Sequence, residues 1–174
     1  MTDQIYVRVE GRGSKLADYW PLISLVGVSV LAGIAIALSG GAWSVGAFMH
    51  GFMGVFLIVF ALLKIFNLKG FRRGFKMYDL LAMRLPNYAL LYPFIELALG
   101  LAYLGHIEPV MTYWATIVVF GFGTLGVVGA LRRGLDIDCP CMGSILSVPL
   151  STVTLTEDIS MVVMAGLMLW GVNA

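Results

Sequence analysis

Five apolar segments dominate this 174-residue chain, and each is close to the length that an α-helix needs to cross a bilayer about 30 Å thick. They cover residues 20–38, 43–66, 88–104, 110–131 and 149–172. Hydrophobic residues make up 60% of the chain and charged residues only 12%, which is too little polarity for a water-soluble domain of this size. The sequence therefore predicts an all-α, polytopic membrane bundle of five transmembrane helices, forming a single domain over residues 20–174.

The eleven lysines and arginines fall on alternate connections between these segments. Three precede the first segment, six lie at the end of the second segment or between it and the third, and two follow the fourth, whereas the other connections have none. Because basic connections stay in the cytosol, the pattern predicts a multi-pass protein of a bacterial-type inner (cytoplasmic) membrane, with the lipid bilayer as its environment. Residues 1–19 form a cytosolic arm in this interpretation, and the C-terminus lies outside. A net charge of +1 gives no general field for nucleic acid.

The connection between the second and third segments has a helical pattern of its own. Phe71, Phe75 and Tyr78 recur at helical spacing, and most of the neighbouring charges fall on another side. This pattern predicts an amphipathic helix over about residues 70–85 that lies in the cytosolic interface. The alternative is a solvated, positively charged connector that only fixes the topology.

The two cysteines stand together as Cys139-Pro140-Cys141, after the fourth segment and on the predicted cytosolic side. Proline fixes the backbone between them, so the two thiols can close a small disulfide or converge on one soft ion. Met142 is a further soft ligand for a metal such as copper. A third interpretation is that they are ordinary buried cysteines, although a permanent disulfide is unusual in a reducing cytosol.

Glu96 lies about eight residues into the third segment, which places it roughly 12 Å from the cytosolic boundary. An ionisable side chain at that depth is costly and indicates function. Pro93 removes a backbone donor from the same helix and frees groups that need partners. The alternative is a neutral carboxylic acid that bonds to Tyr92 or to a threonine of the fourth segment.

Glu157 and Asp158 lie near the start of the fifth segment, and Glu157 falls about 6 Å inside the boundary if that segment ends at residue 172. We therefore predict one polar pocket, open to the cytosol and lined by the two cysteines, Glu96, Glu157 and Asp158. The alternative is a helix N-terminus, because Thr154 and Glu157 have the spacing of a capping box.

Two further polar residues lie within the second segment. Lys64 is close to its cytosolic end, where we expect the side chain to snorkel, with pairing to one of the acids as the alternative. His50 lies beside Met49 and Met53 in the outer half, a pattern that allows a soft-metal site but is more typical of core packing.

Several motifs, taken together, resemble the MauE/DoxX-like family of redox-associated membrane proteins. They are Gly51-Phe52-Met53-Gly54, Phe60 to Lys64, Leu68-Lys69-Gly70-Phe71, Tyr78-Asp79, Tyr92 to Gly100, Cys139 to Ser144 and Pro149 to Asp158. The resemblance covers about residues 50–172 and implies a DoxX-like four-helix core to which the first helix is added. It also implies roles for Glu96, Cys139, Cys141, Glu157 and Asp158 in thiol redox or cofactor maturation, as in methylamine utilisation. Some similar proteins handle heavy metals.

Three functions follow from these patterns. The first is thiol redox, in which Cys139 and Cys141 cycle between dithiol and disulfide while Glu96 or Glu157 moves a proton, with a membrane or thiol-protein partner. The second is binding or transport of a soft metal by Cys139, Cys141 and Met142, with Glu96, Glu157 and Asp158 completing the site. The third is a structural subunit of a larger membrane complex. Whether the protein is an enzyme, and whether it carries a cofactor, is left open.

Overall fold

A computed structural model describes residues 19–85, 87–132 and 150–173, and the described chain is helical. Its helices are α1 (Trp20–Ser39), α2 (Val45–Phe66), α3 (Leu68–Tyr78), α4 (Leu80–Arg84), α5 (Tyr88–Gly105), α6 (Pro109–Arg132) and α7 (Leu150–Asn173). The five long helices begin and end within two residues of the predicted segments. This agreement follows from the sequence, because charge, glycine or proline ends most of the apolar runs.

Four of the described helices are long and apolar enough to cross a bilayer, namely α1, α2, α5 and α6. The chain is therefore a multi-pass membrane protein. The helix α7 occupies the predicted fifth segment, but its first half is more polar because it holds Thr154, Thr156, Glu157 and Asp158. Its crossing of the membrane stays a prediction, as does the orientation of the termini.

The long helices form two closely packed antiparallel pairs, α2 with α5 and α6 with α7. The first helix, α1, packs on α2. Contacts between the α2–α5 pair and the α6–α7 pair are sparser. A shared apolar core joins the two pairs and includes Met53, Phe60, Phe120 and Met161, all at most 1% exposed. Side chains that cross from one pair to the other therefore have a large influence on how the pairs are held together.

Glycine allows α2 and α5 to approach closely. A Cβ added to Gly54 would lie 2.6 Å from Leu104 Cγ and 3.0 Å from the Gly100 carbonyl oxygen. A Cβ on Gly100 would lie 2.9 Å from the Gly54 carbonyl oxygen and 3.0 Å from the Ile58 nitrogen. Except for Leu104 Cγ, these are contacts with backbone atoms, which no change of rotamer can relieve, so the crossing needs glycine on both helices.

Two short helices fold back under the end of α2. The side chain of Asn67 accepts a hydrogen bond from the Gly70 nitrogen at 3.2 Å. This bond caps the N-terminus of α3, which therefore begins immediately after the end of α2. On α3 the aromatic residues Phe71, Phe75 and Tyr78 are at most 2% exposed. The predicted single helix over residues 70–85 is thus divided into α3 and α4 at Asp79, and its location in a membrane interface stays a prediction.

Asp79 separates α3 from α4 by capping the second helix. Its Oδ1 accepts hydrogen bonds from the nitrogens of Leu81 and Ala82 at 3.0 and 2.7 Å. Burial raises the pKa of the Asp79 carboxyl, and these two hydrogen bonds oppose that rise. A Cβ on Gly126 of α6 would lie 3.2 Å from the Asp79 Cα, so the capped turn rests directly on α6.

Replacing Asp79 by alanine is expected to lower the free energy of unfolding by about 1 kcal/mol, because one buried and one partly buried backbone nitrogen lose their acceptor. Asp79→Asn keeps an acceptor oxygen and avoids burying a charge, so it should stay within a few tenths of a kcal/mol of the parent chain. Amide hydrogen exchange at Leu81 and Ala82 measures the local effect. Equal exchange in the alanine and asparagine variants would contradict the capping role.

Candidate functional site

The centre of the candidate site is an ion pair between α2 and α5. Lys64 Nζ donates to both carboxylate oxygens of Glu96, at 2.7 and 2.6 Å. The two side chains are 2% and 0% exposed, so this pair is fully buried. A buried pair of this kind is retained only where geometry and additional partners offset the cost of removing both charges from water.

The α6–α7 pair supplies two more carboxyl groups to this centre. Glu157 Oε1 on α7 lies 3.4 Å from Lys64 Nζ, a contact that crosses between the two helix pairs. Asp158 is next in sequence and 2% exposed, and its Oδ2 would lie 2.7 Å from a Cβ built on Gly123 of α6. Glycine at position 123 therefore gives the Asp158 carboxyl room against the backbone of α6. We call Lys64, Glu96, Glu157 and Asp158 the ion cluster.

Aromatic rings surround the ammonium group of Lys64. Its Nζ lies 5.4 Å from the ring centre of Tyr92, 5.9 Å from that of Phe60 and 6.0 Å from that of Phe71. These distances are within the range of cation–π attraction. Phe71 belongs to α3, so the fold-back of α3 places an aromatic ring beside the ion pair and helps to separate it from water.

Two sequence-based expectations change at this point, and one alternative is excluded. Lys64 does not snorkel to the boundary. Its ammonium is bound by Glu96 and Glu157, so the alternative, pairing with an acid, is the arrangement found. The cluster is not an open pocket, since all four of its side chains are at most 5% exposed. Glu157 is not at the start of a helix, because α7 begins seven residues earlier at Leu150. The predicted proximity of Glu96 and Glu157 is confirmed through their shared partner Lys64.

Cys139, Cys141 and Met142 lie outside the described residues, so their predicted place beside the acids stays a prediction. The described residues contain no group of three or more His, Cys, Asp or Glu side chains able to hold a metal ion. Both oxygens of Glu96 already accept hydrogen bonds from Lys64. A metal site that uses Glu96 therefore requires the ion pair to open first.

A second buried polar group lies around His50, nearer the start of α2, whereas Lys64 lies near its end. Its Nδ1 lies 2.9 Å from the Tyr103 carbonyl oxygen, and its Nε2 lies 2.7 Å from the Tyr113 hydroxyl. The carbonyl can only accept, so Nδ1 carries the proton and, in the neutral ring, Nε2 accepts from Tyr113. Both nitrogens are engaged, which favours core packing over the soft-metal site with Met49 and Met53. His106 stacks on His50 with ring centres 4.1 Å apart.

The sequence allowed only part of this arrangement to be anticipated. Lys64 was visible as a single cation in an otherwise apolar segment, but its partner depends on how α2 and α5 are rotated. The contributions of Gly54, Gly100 and Gly123 were not predicted. Their signal was a glycine inside a long apolar helix, which is common in membrane helices and does not identify a partner.

The fold and the ion cluster define a class: a multi-pass helical membrane protein with a buried cluster of carboxyl groups and an ammonium group between its helices. Residues 42–171 match the family described as methylamine utilisation protein MauE. The chain belongs to the MauE family, and the match runs from α2 to two residues before the end of α7 while leaving out α1. No curated protein and no solved structure matches the chain.

Proposed function

We propose that this protein is a thiol-redox component of the membrane, in which Cys139 and Cys141 form a reversible disulfide during the maturation of a protein or cofactor. Membership of the MauE family supports placing this maturation in methylamine utilisation. The observation that carries the proposal is the ion cluster, because a purely structural bundle has little need for buried acids at this depth.

Chain connectivity supports a link between the dithiol and the ion cluster. Cys139 follows the last residue of α6, Arg132, by seven positions, and Cys141 precedes the first residue of α7, Leu150, by nine. The dithiol therefore belongs to the connection between α6 and α7. Glu157 lies in the half of α7 that follows this connection. On the predicted topology this connection faces the cytosol.

The proposed chemistry is thiol–disulfide exchange. One thiolate of the chain attacks a disulfide sulfur of the partner and forms a mixed disulfide, and the second thiolate then displaces the partner's thiolate. The chain gives up two electrons and two protons as it becomes a disulfide, and the partner becomes a dithiol by taking up both.

The ion cluster is suited to hold one of these protons between its release by a cysteine thiol and its transfer to the partner's thiolate. Its single ammonium balances one of three carboxyl groups, so another carboxylate can take a proton while Lys64 keeps its bond to Glu96. Glu157 is the group that we assign, because its Oε2 is buried without a hydrogen-bond partner among the described residues. Glu96 holds Lys64 in place in this mechanism.

Thiol trapping in membranes tests the proposal. We expect an alkylating reagent to label Cys139 and Cys141 under reducing conditions, to lose both labels after mild oxidation, and to regain them with reductant. Glu157→Gln should slow this cycle at least tenfold, because a proton acceptor is lost. Glu108→Gln, an exposed change at the opposite end of the bundle, is the matched control and should leave the rate unchanged.

Two results would overturn the redox proposal. If the cysteines never form a reversible disulfide, while the purified protein holds copper that the double Cys→Ser variant lacks, the function is soft-metal binding. If the double variant keeps full function in its host, the chain is a structural subunit and its cysteines are incidental.

A further inference from the structure

The outer face of α3 forms a basic groove at the predicted cytosolic end of the bundle. The groove has a volume of about 360 Å³, and the described residues that line it are all cationic: Lys69, Arg72, Arg73 and Lys76. They recur at spacings of three and four residues, which brings them onto one side of the helix. Four like charges on so short a helix repel one another unless an anion lies among them.

The helix that carries these charges is held firmly against the protein. Phe71 and Phe75, on its other face, are 0% and 2% exposed, and both rings pack on Tyr92 of α5. The cationic side chains therefore project from a fixed surface rather than from a mobile loop. Fixed donors lose less conformational entropy when a ligand binds.

Arg72 gives an independent indication of a ligand. Its Nε is buried but has no hydrogen-bond partner in the described part of the chain. A buried donor without an acceptor is costly, and native proteins rarely leave one unless water, an ion or a ligand supplies the acceptor. A phosphate oxygen is a suitable acceptor for a guanidinium group, because the bond is charge-assisted.

Exposed apolar side chains lie next to the groove along the chain, and they favour a lipid over a soluble phosphate as its ligand. Phe66, which ends α2, is 81% exposed, and Met77 and Leu80 beyond the groove are 38% and 42% exposed. Side chains of this kind next to cations are typical of a helix at the level of lipid headgroups, where acyl chains cover the apolar groups. A soluble phosphate would leave them in water.

We propose that this groove binds the phosphate of an anionic phospholipid, with the four cations around the headgroup and the acyl chains against the exposed apolar residues. Clusters of four or more basic residues next to a membrane-spanning helix attract anionic lipid. The proposal does not depend on the redox function, because neither the cysteines nor the ion cluster takes part.

Native mass spectrometry of the full-length protein in detergent tests the site, with phosphatidylglycerol as the anionic probe and phosphatidylcholine of the same acyl chains as the neutral one. We expect phosphatidylglycerol to bind more tightly. Each cation removed should weaken its binding about fivefold, so Lys69→Gln with Arg73→Gln should weaken it about 25-fold. Arg84→Gln with Arg132→Gln removes the same charge outside the groove and should have little effect.

Three results would overturn the lipid site: equal binding of the two lipids, an equal loss in the control pair, or saturation of the groove by inorganic phosphate alone with no gain from phosphatidylglycerol. A second variant, Arg72→Gln with Lys76→Gln, tests whether misfolding of the first variant explains its weaker lipid binding. It should weaken phosphatidylglycerol binding to a similar extent while the helical circular dichroism is retained.

Discussion

Replacing Lys64 by methionine is expected to lower the free energy of unfolding by about 3–5 kcal/mol, the typical cost of removing one partner of a buried ion pair. Methionine has a similar length and suits an apolar site, so the loss comes from the charge. Without the ammonium, the Glu96 carboxylate at 0% exposure has no balancing cation within the cluster. Titration of the detergent-solubilised protein with a denaturing detergent, followed by circular dichroism, measures the effect.

A double variant separates the charge effect from packing. Lys64→Met with Glu96→Gln leaves no unbalanced charge between α2 and α5, so it should be more stable than Lys64→Met alone. Arg84→Met, an exposed cation on α4 outside the basic side of α3, is the matched control and should change stability by less than about 0.5 kcal/mol. If Lys64→Met is no more harmful than Arg84→Met, the ion pair does not stabilise the fold.

Gly100→Leu is expected to cost about 3 kcal/mol or more, because the added side chain has no room at the crossing of α2 and α5. Its Cβ would lie 2.9 Å from the Gly54 carbonyl oxygen and 3.0 Å from the Ile58 nitrogen, so the backbones must separate. Glu96 lies one turn away on α5, and the separation should also lengthen its contact with Lys64. The expected result is a smaller folded fraction on size-exclusion chromatography.

Gly121→Leu provides the matched control for this prediction. Gly121 lies within α6, and a Cβ built there meets no atom within 4 Å. This variant should fold as the parent chain does, within about 0.5 kcal/mol. Similar losses in both variants would show that helix flexibility, rather than the close approach at Gly100, explains the effect.

The position of the ion cluster gives it a role in joining the two helix pairs. Lys64 and Glu96 belong to the α2–α5 pair, whereas Glu157 and Asp158 belong to α7. A proton bound by Glu157 would weaken its attraction to Lys64 and so the contact between the pairs. In the proposed redox cycle, proton uptake and the packing of α7 are therefore coupled.

The motif Tyr78-Asp79 illustrates what sequence comparison leaves unexplained. The resemblance to a family marked these two residues, but gave no reason for them. In the structure Asp79 caps α4, and a Cβ on Gly126 of α6 would lie 3.1 Å from the Tyr78 carbonyl oxygen. The motif thus fixes the turn between the short helices, which in turn holds Phe71 beside the ion cluster.

The sequence by itself determined that lipid surrounds the long helices and where these helices begin and end. Both depend on local properties, namely the length of each apolar run and the charges at its ends. It also indicated Glu96 and Glu157, since a carboxyl group inside an apolar run is visible without a fold. The tertiary structure decided which groups meet. The bonds from Lys64 to Glu96 and Glu157 depend on the rotation of three helices and on the fold-back of α3, and no local pattern specifies these.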